Sequence, residues 1–146
     1  MCASTIDKTQ LLNDCRTLEY ILLGDLRDVL EETPDDSNLN WTIAIIDTLL
    51  TTLPRELDLA ESGQYLHLNQ REHESHQGEF DSLLSEKHKV YLKLRQLRSE
   101  LVARGAVETK INRLKYDLHQ WMKQLIHHHR NERHLESQLG VPRRYA

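Results

Sequence analysis

The sequence predicts an all-α protein folded as an up-down-up-down four-helix bundle, and three observations carry this expectation. Gly (5) and Pro (3) are scarce and aromatic residues make up 5% of the 146-residue chain, while Leu, Glu, Arg, Lys and Gln, all good helix formers, dominate. Apolar residues recur at steps of three and four in four long segments. Mostly short connections separate them, and consecutive amphipathic helices joined in this way pack antiparallel. The length and a hydrophobic share of 38% suit one domain over residues 1–146.

The first helix is expected over residues 5–32, with Leu11, Cys15, Leu18, Leu22, Leu26 and Val29 as its buried stripe. Thr33-Pro-Asp-Asp-Ser-Asn-Leu-Asn40 ends it, because Pro34 cannot continue a helix and Asp, Ser and Asn favour turns and N-caps. The second, over 39–62, carries Trp41, Ile45, Ile46, Leu49, Leu50 and Leu53, and Pro54 is expected to kink or restart it before Gly63. The polar stretch 64–77 contains His67, His73 and His76, which read as solvated. A third helix over 78–104 presents Phe80, Leu83, Leu84, Tyr91, Leu94, Leu97 and Leu101 and is stopped by Gly105. The fourth, over 107–138, has the cleanest spacing: Ile111, Leu114, Leu118, Trp121, Leu125, His128, Glu132 and Leu135, ending at Gly140 and Pro142.

Several function classes are disfavoured by composition. A net charge of -4 does not supply the Lys and Arg surplus that phosphate backbones require, so no nucleic-acid partner is expected. No stretch approaches the roughly 20 apolar residues of a membrane span, and the N-terminus lacks the pattern of a secretory signal. A cytoplasmic protein with Cys2 and Cys15 reduced is the expectation. Nucleophile–base motifs, phosphate loops and Cys-x-x-Cys pairs are all lacking, which argues against an enzyme.

Chemistry enters through the fourth helix. His128 and Glu132 occupy consecutive core positions between Leu125 and Leu135, and residues four apart project to the same face. Buried without partners they would cost several kcal/mol, so they need a metal, each other, or a small rotation that replaces them with a neighbour such as His127 or His129. His127, His129 and His134 are otherwise expected to face away. On the third helix His88 lies four residues after Leu84 and three before Tyr91, on the inward stripe. Glu56 is in phase with Leu49 and Leu53, and Cys15 with Leu11, Leu18 and Leu22. Taken singly, Glu56 reads as solvated and Cys15 as a small hydrophobe.

Together these residues resemble the hemerythrin-like, HHE cation-binding family of four-helix bundles. Leu125-Ile-His-His-His-Arg-Asn-Glu132 is similar to the family's fourth-helix His-x-x-x-Glu at His128 and Glu132, and Leu83-Leu-Ser-Glu-Lys-His88 is similar to its Leu-Leu-x-Glu-x-His. Leu57-Asp-Leu-Ala-Glu-Ser-Gly-Gln-Tyr-Leu66 resembles the acidic run and Gly-Gly-Tyr that close the second helix in some members. The pattern departs at Cys15, which stands where the family has a first-helix histidine, and on the second helix, where Glu56 and Ala60 replace His-x-x-x-Glu with Glu61 one step on.

The resemblance implies a metal site of His88, His128 and Glu132 with Glu56 as a fourth ligand, and Cys15 and Glu61 as further candidates. Such a set suits non-haem iron, mononuclear or dinuclear, or zinc. Two functions follow: sensing, storage or oxygen and peroxide chemistry on that metal, or a metal-free bundle acting as an interaction or scaffold protein. The sequence names no protein partner and is compatible with a homo-oligomer.

Overall fold

The computed structural model describes residues 4–32, 35–59, 76–104 and 108–138. Within them lie four helices, α1 (Ser4–Glu31), α2 (Asp36–Leu59), α3 (Gln77–Arg104) and α4 (Glu108–Gln138), and no strand. The expected positions of Gly63, Gly105, Gly140 and Pro142 at helix ends, and the stretch 64–75, fall outside the described residues. None of the described helices is long and apolar enough to cross a membrane.

Local chemistry sets the starts of α2 and α3. Asp35 caps α2: its carboxylate accepts a hydrogen bond from the Asn38 amide at 2.8 Å and its carbonyl accepts the first helical bond, from Leu39, at 2.9 Å. This cap starts the helix at Asp36, three residues before the expected 39. The His76 carbonyl likewise accepts from the amides of Glu79 and Phe80, both at 3.1 Å, as α3 begins. Pro54 lies inside α2 and does not end it. Around it the hydroxyls of Thr48, Thr51 and Thr52 donate back to the carbonyls of Ala44, Asp47 and Leu49.

Each helix contributes to one apolar cluster, which includes Leu22, Leu23, Leu26, Ile46, Leu49, Leu53, Val90, Leu94, Leu97, Leu118, Trp121 and Leu125. Helix α1 packs on α2, α2 on α3 and α3 on α4, and α4 makes the looser closing contact with α1. Specific pairs give the relative directions. Arg98 meets Asp47 and Lys87 meets Glu56, so numbers rise on α3 as they fall on α2. The Trp121 indole donates to the Val90 carbonyl at 2.8 Å, and His128 reaches Glu86 at 2.7 Å. Lys115 Nζ donates to the Glu32 carbonyl at 3.0 Å, whereas Arg16 meets Glu132 at 3.3 Å. Each of these three neighbouring pairs is antiparallel.

Two helices are turned relative to the expected phase. On α1, Leu11 and Leu18 are exposed while Leu12, Glu19, Leu23 and Leu30 are buried beside Cys15, Leu22 and Leu26. On α3, Leu84 and Tyr91 are only half-buried, and the core register is Phe80, Leu83, Lys87, Val90, Leu94, Leu97 and Leu101. Trp41, expected in the α2 stripe, is 63% exposed, and Thr42 is buried in its place.

Core and surface positions should therefore respond differently to truncation. Leu94→Ala, at a fully buried site, is expected to lower the unfolding free energy by about 2–5 kcal/mol. Trp41→Ala should change it by no more than about 0.5 kcal/mol. Urea titration monitored by circular dichroism measures both.

Candidate functional site

The core registers of all four helices carry ionisable side chains at one level of the bundle. Glu19 comes from α1, Glu56 from α2, Lys87 from α3, and His128, His129 and Glu132 from α4, all of them buried. Apolar layers enclose this level, with Leu22, Leu53, Val90 and Leu125 toward one end and Leu12, Leu57, Phe80 and Leu135 toward the other. Charged groups buried so deeply are cut off from bulk solvent and depend on one another for compensation.

Lys87 is the hub. Its ammonium donates to Glu56 Oε2 and, at 3.3 Å, to Glu132 Oε2. Glu132 Oε2 also accepts from the Arg16 guanidinium at 3.3 Å, and Glu132 Oε1 accepts from His129 Nδ1 at 3.2 Å. His129 Nε2 lies 3.1 Å from Glu19 Oε1, which sets the imidazole between two carboxylates. His128 donates from Nδ1 to Glu86 Oε1 at 2.7 Å, since a carboxylate can only accept, and its Nε2 lies 3.5 Å from Glu132 Oε1. Tyr20 closes the outside of the layer, its ring 5.1 Å from that of His129 and 5.1 Å from the Arg133 guanidinium carbon.

Glu56 and Glu132 are not equivalent. Burial pushes Glu56 from its ordinary 4.5 up to about 8; Lys87 opposes the rise, and Glu19 and Glu132 add to it. Burial would raise Glu132 too, but Lys87, Arg16, His128 and His129 together hold it well below 4.5. Lys87 is raised, the pull of Glu132 and Glu56 outweighing its burial. The bonds to Glu132 and Glu19 likewise raise His129 against its burial. Near neutrality Glu132 is therefore the permanent anion and Glu56 the acid that keeps its proton. The Cys15 thiol rises to about 11, through burial and the nearby Glu56 and Glu19 carboxyls, so it is protonated as well.

Of the residues expected to form a metal site, Glu56, His128 and Glu132 meet in this layer and Cys15 is buried with them. Glu61 falls outside the described residues. The inward placement of His88 is corrected: it is exposed, its ring 6.4 Å from that of Tyr91, because the α3 register puts Lys87 inside. The outward placement of His129 is corrected too, since its ring is enclosed between Glu19 and Glu132. Glu19 and Lys87 carry no histidine–carboxylate signal on the leucine stripes and were missed there, whereas His129 was open only as a residue a rotated helix would turn inward. A strict alternation of three and four from Phe80 and Leu83 does reach Lys87 and Val90, and the same alternation from Leu12 and Cys15 reaches Glu19 and Leu22.

The donor set does not fit a metal centre as it stands. A permanent cation already bridges the Glu56 and Glu132 carboxyls, the fourth-helix imidazoles are engaged by carboxylates, and Cys15 carries its proton. Among the described residues no three His, Cys, Asp or Glu side chains converge as metal ligands. Comparison with known proteins finds no matching family model, no similar curated protein and no similar solved structure. The hemerythrin-like reading accordingly stands on the motifs in the chain and on the bundle.

Two outcomes follow from the layer. Lys87→Met strips the cation from two buried acids and should lower the unfolding free energy by about 3–5 kcal/mol; adding Glu132→Gln should restore part of it in the same urea assay. Glu56 binds its proton more tightly folded than unfolded, so its contribution to stability declines as pH rises from 4.5 toward about 8. Glu56→Gln removes that decline, and its stability relative to wild type should grow with pH across this window by at most about 1.4 kcal/mol per pH unit.

Proposed function

We propose that this chain is a hemerythrin-like, up-down-up-down bundle that works without a metal, as a cytoplasmic interaction or scaffold protein, with the Lys87 ammonium in the place of the cation. The observation that carries this reading is the buried bridge from Lys87 to Glu56 and Glu132. A metal ion and a lysine ammonium placed between these two acids would serve one electrostatic purpose, and they exclude each other. The antiparallel contacts of the neighbouring helices support the up-down order, and the protonated Cys15, standing where the family has a histidine, supports the loss of the metal.

With its core charges internally compensated, the bundle offers its outer faces for function. Ile21, Trp41 and Tyr116 are large apolar side chains left exposed on three helices, and Trp and Tyr are enriched among the residues that anchor protein interfaces. The alternative is iron or zinc bound for sensing, storage or peroxide chemistry. It draws support from the gathering of His128, His129, Glu19 and Glu132 at one level.

Elemental analysis of protein purified without a histidine tag separates the two. Iron, zinc and manganese far below one atom per chain, with a melting curve unaltered by EDTA, is the expected result. Stoichiometric metal that EDTA removes with loss of stability would overturn the metal-free reading.

A further inference from the structure

We infer that this chain binds a second copy of itself head to tail, the outer stripe of α1 on one molecule packing against the outer stripe of α4 on the next. This deepens the reading as an interaction or scaffold protein by naming the partner, and rests on it.

The two halves of the bundle carry opposite surface charge. Among the described residues the exposed acids of the α1–α2 half are Asp14, Asp25, Asp28, Glu31, Glu32, Asp35 and Asp58, against the exposed bases Arg27 and Arg55. Arg27 already lies 3.6 Å from Asp28. In the α3–α4 half the balance reverses: Lys89, Lys93, Arg95, Arg113, Lys123, Arg130 and Arg133 are exposed, against Glu79 and Asp81. Helices α1 and α2 pack together, as do α3 and α4, so the molecule has an acidic side and a basic side. The net charge of -4 conceals this division. Fields of opposite sign orient an approaching copy so that the acidic side of one molecule meets the basic side of the other.

The acidic side also carries a row of apolar side chains. Leu11, Asp14, Leu18, Ile21, Asp25 and Asp28 follow one another at steps of three and four, and all are exposed. The buried stripe of the same helix, Leu12, Cys15, Glu19, Leu22 and Leu26, uses the same alternation, so α1 has a second packing seam on its outside. Single exposed apolar residues are ordinary, whereas a row of them marks an interaction surface. On α4 the alternation runs along the outside through Tyr116, Gln120, Lys123, His127 and Arg130, all exposed but the half-buried Gln120. This stripe offers an aromatic ring and the aliphatic stems of Lys123 and Arg130 to the leucines, and their cations to the aspartates.

The dimensions suit the pairing. At 1.5 Å per residue the two stripes are about 25 Å and about 20 Å long. The 28 residues of α1, with α2 beside it, make a face about 40 Å by 20 Å, so about 800 Å², which is one partner's share of a stable interface. Two α1 stripes packed on each other would set aspartate against aspartate, and two α4 stripes would set cation against cation. The contact is therefore heterologous. It leaves one unused stripe at each end of a pair and so extends into chains or rings, as a scaffold requires.

The test follows the mass of the tag-free full chain by sedimentation and light scattering from micromolar to millimolar concentration. The mass should rise above the 17.2 kDa monomer as concentration increases, and the rise should shrink in about 1 M salt, where screening acts within about 3 Å. Leu18→Arg with Ile21→Arg, both at exposed positions, should abolish association. Lys123→Ala with Arg130→Ala should lower the association constant by about tenfold. Mixed in equal amounts, at a concentration where each is monomeric alone, the two variants should form dimers and nothing larger, because each retains one intact stripe. Circular dichroism checks that both keep the wild-type helical content. A wild-type chain that stays monomeric throughout overturns the inference, as does association that survives both double substitutions or that mixing fails to restore. A metal-free monomer overturns this inference alone, whereas stoichiometric metal in the purified protein counts against the metal-free reading, so the two failures are distinguishable.

Discussion

The bundle is organised around one buried cation. Lys87 lies at a position on α3 where Phe80, Leu83, Val90 and Leu94 mark the apolar register, and an ammonium there is tolerable only because Glu56 and Glu132 arrive from two other helices to receive it. That requirement couples α2, α3 and α4 through one point. Arg16 and the contact from His129 to Glu19 draw in α1. The looser packing between α1 and α4 is thus bridged at the polar layer by charged groups.

Such a layer is an inefficient source of stability, because the desolvation of each charge offsets most of its attraction. Its value lies in specification. An all-leucine interior with spacing of three and four permits neighbouring helices to slide by a turn or rotate by a residue with little change in buried area. Here a shift of α3 would pull Lys87 away from both acids and leave its ammonium unpaired in an apolar interior. The layer locks helix register in the way a single polar core position locks a coiled coil. Its internal ordering follows from burial and the same electrostatics: Glu132, in contact with Lys87, Arg16 and His129, stays ionised, whereas Glu56, raised by burial and then by two other acids, holds its proton.

The same arrangement frames the functional reading. Four-helix bundles that gather carboxylates and imidazoles at one level of the core commonly use them to hold a metal. In this chain the cation is covalently part of the protein and cannot exchange or change oxidation state.

Sequence alone determined the four helices, the role of His128 and Glu132 as core residues, and the presence of a polar level in an otherwise leucine-rich interior, because apolar periodicity and turn chemistry are local. Tertiary structure decided the rotation of each helix. Successive residues are about 100° apart, and an apolar stripe on a helix that packs between two neighbours is wide enough to be centred on either of two adjacent positions. On α3 the choice lay between Lys87 and His88. Histidine is the residue one looks for at a site, but Lys87 keeps Val90, Leu94 and Leu97 in register and has acids from α2 and α4 to meet. For α1 the equivalent turn exposed Leu11 and Leu18 and buried Glu19, and on α4 the arrival of Glu19 brought His129 inside with His128. Periodicity ranks positions along one helix, whereas a buried charge is settled by what the other helices place opposite it.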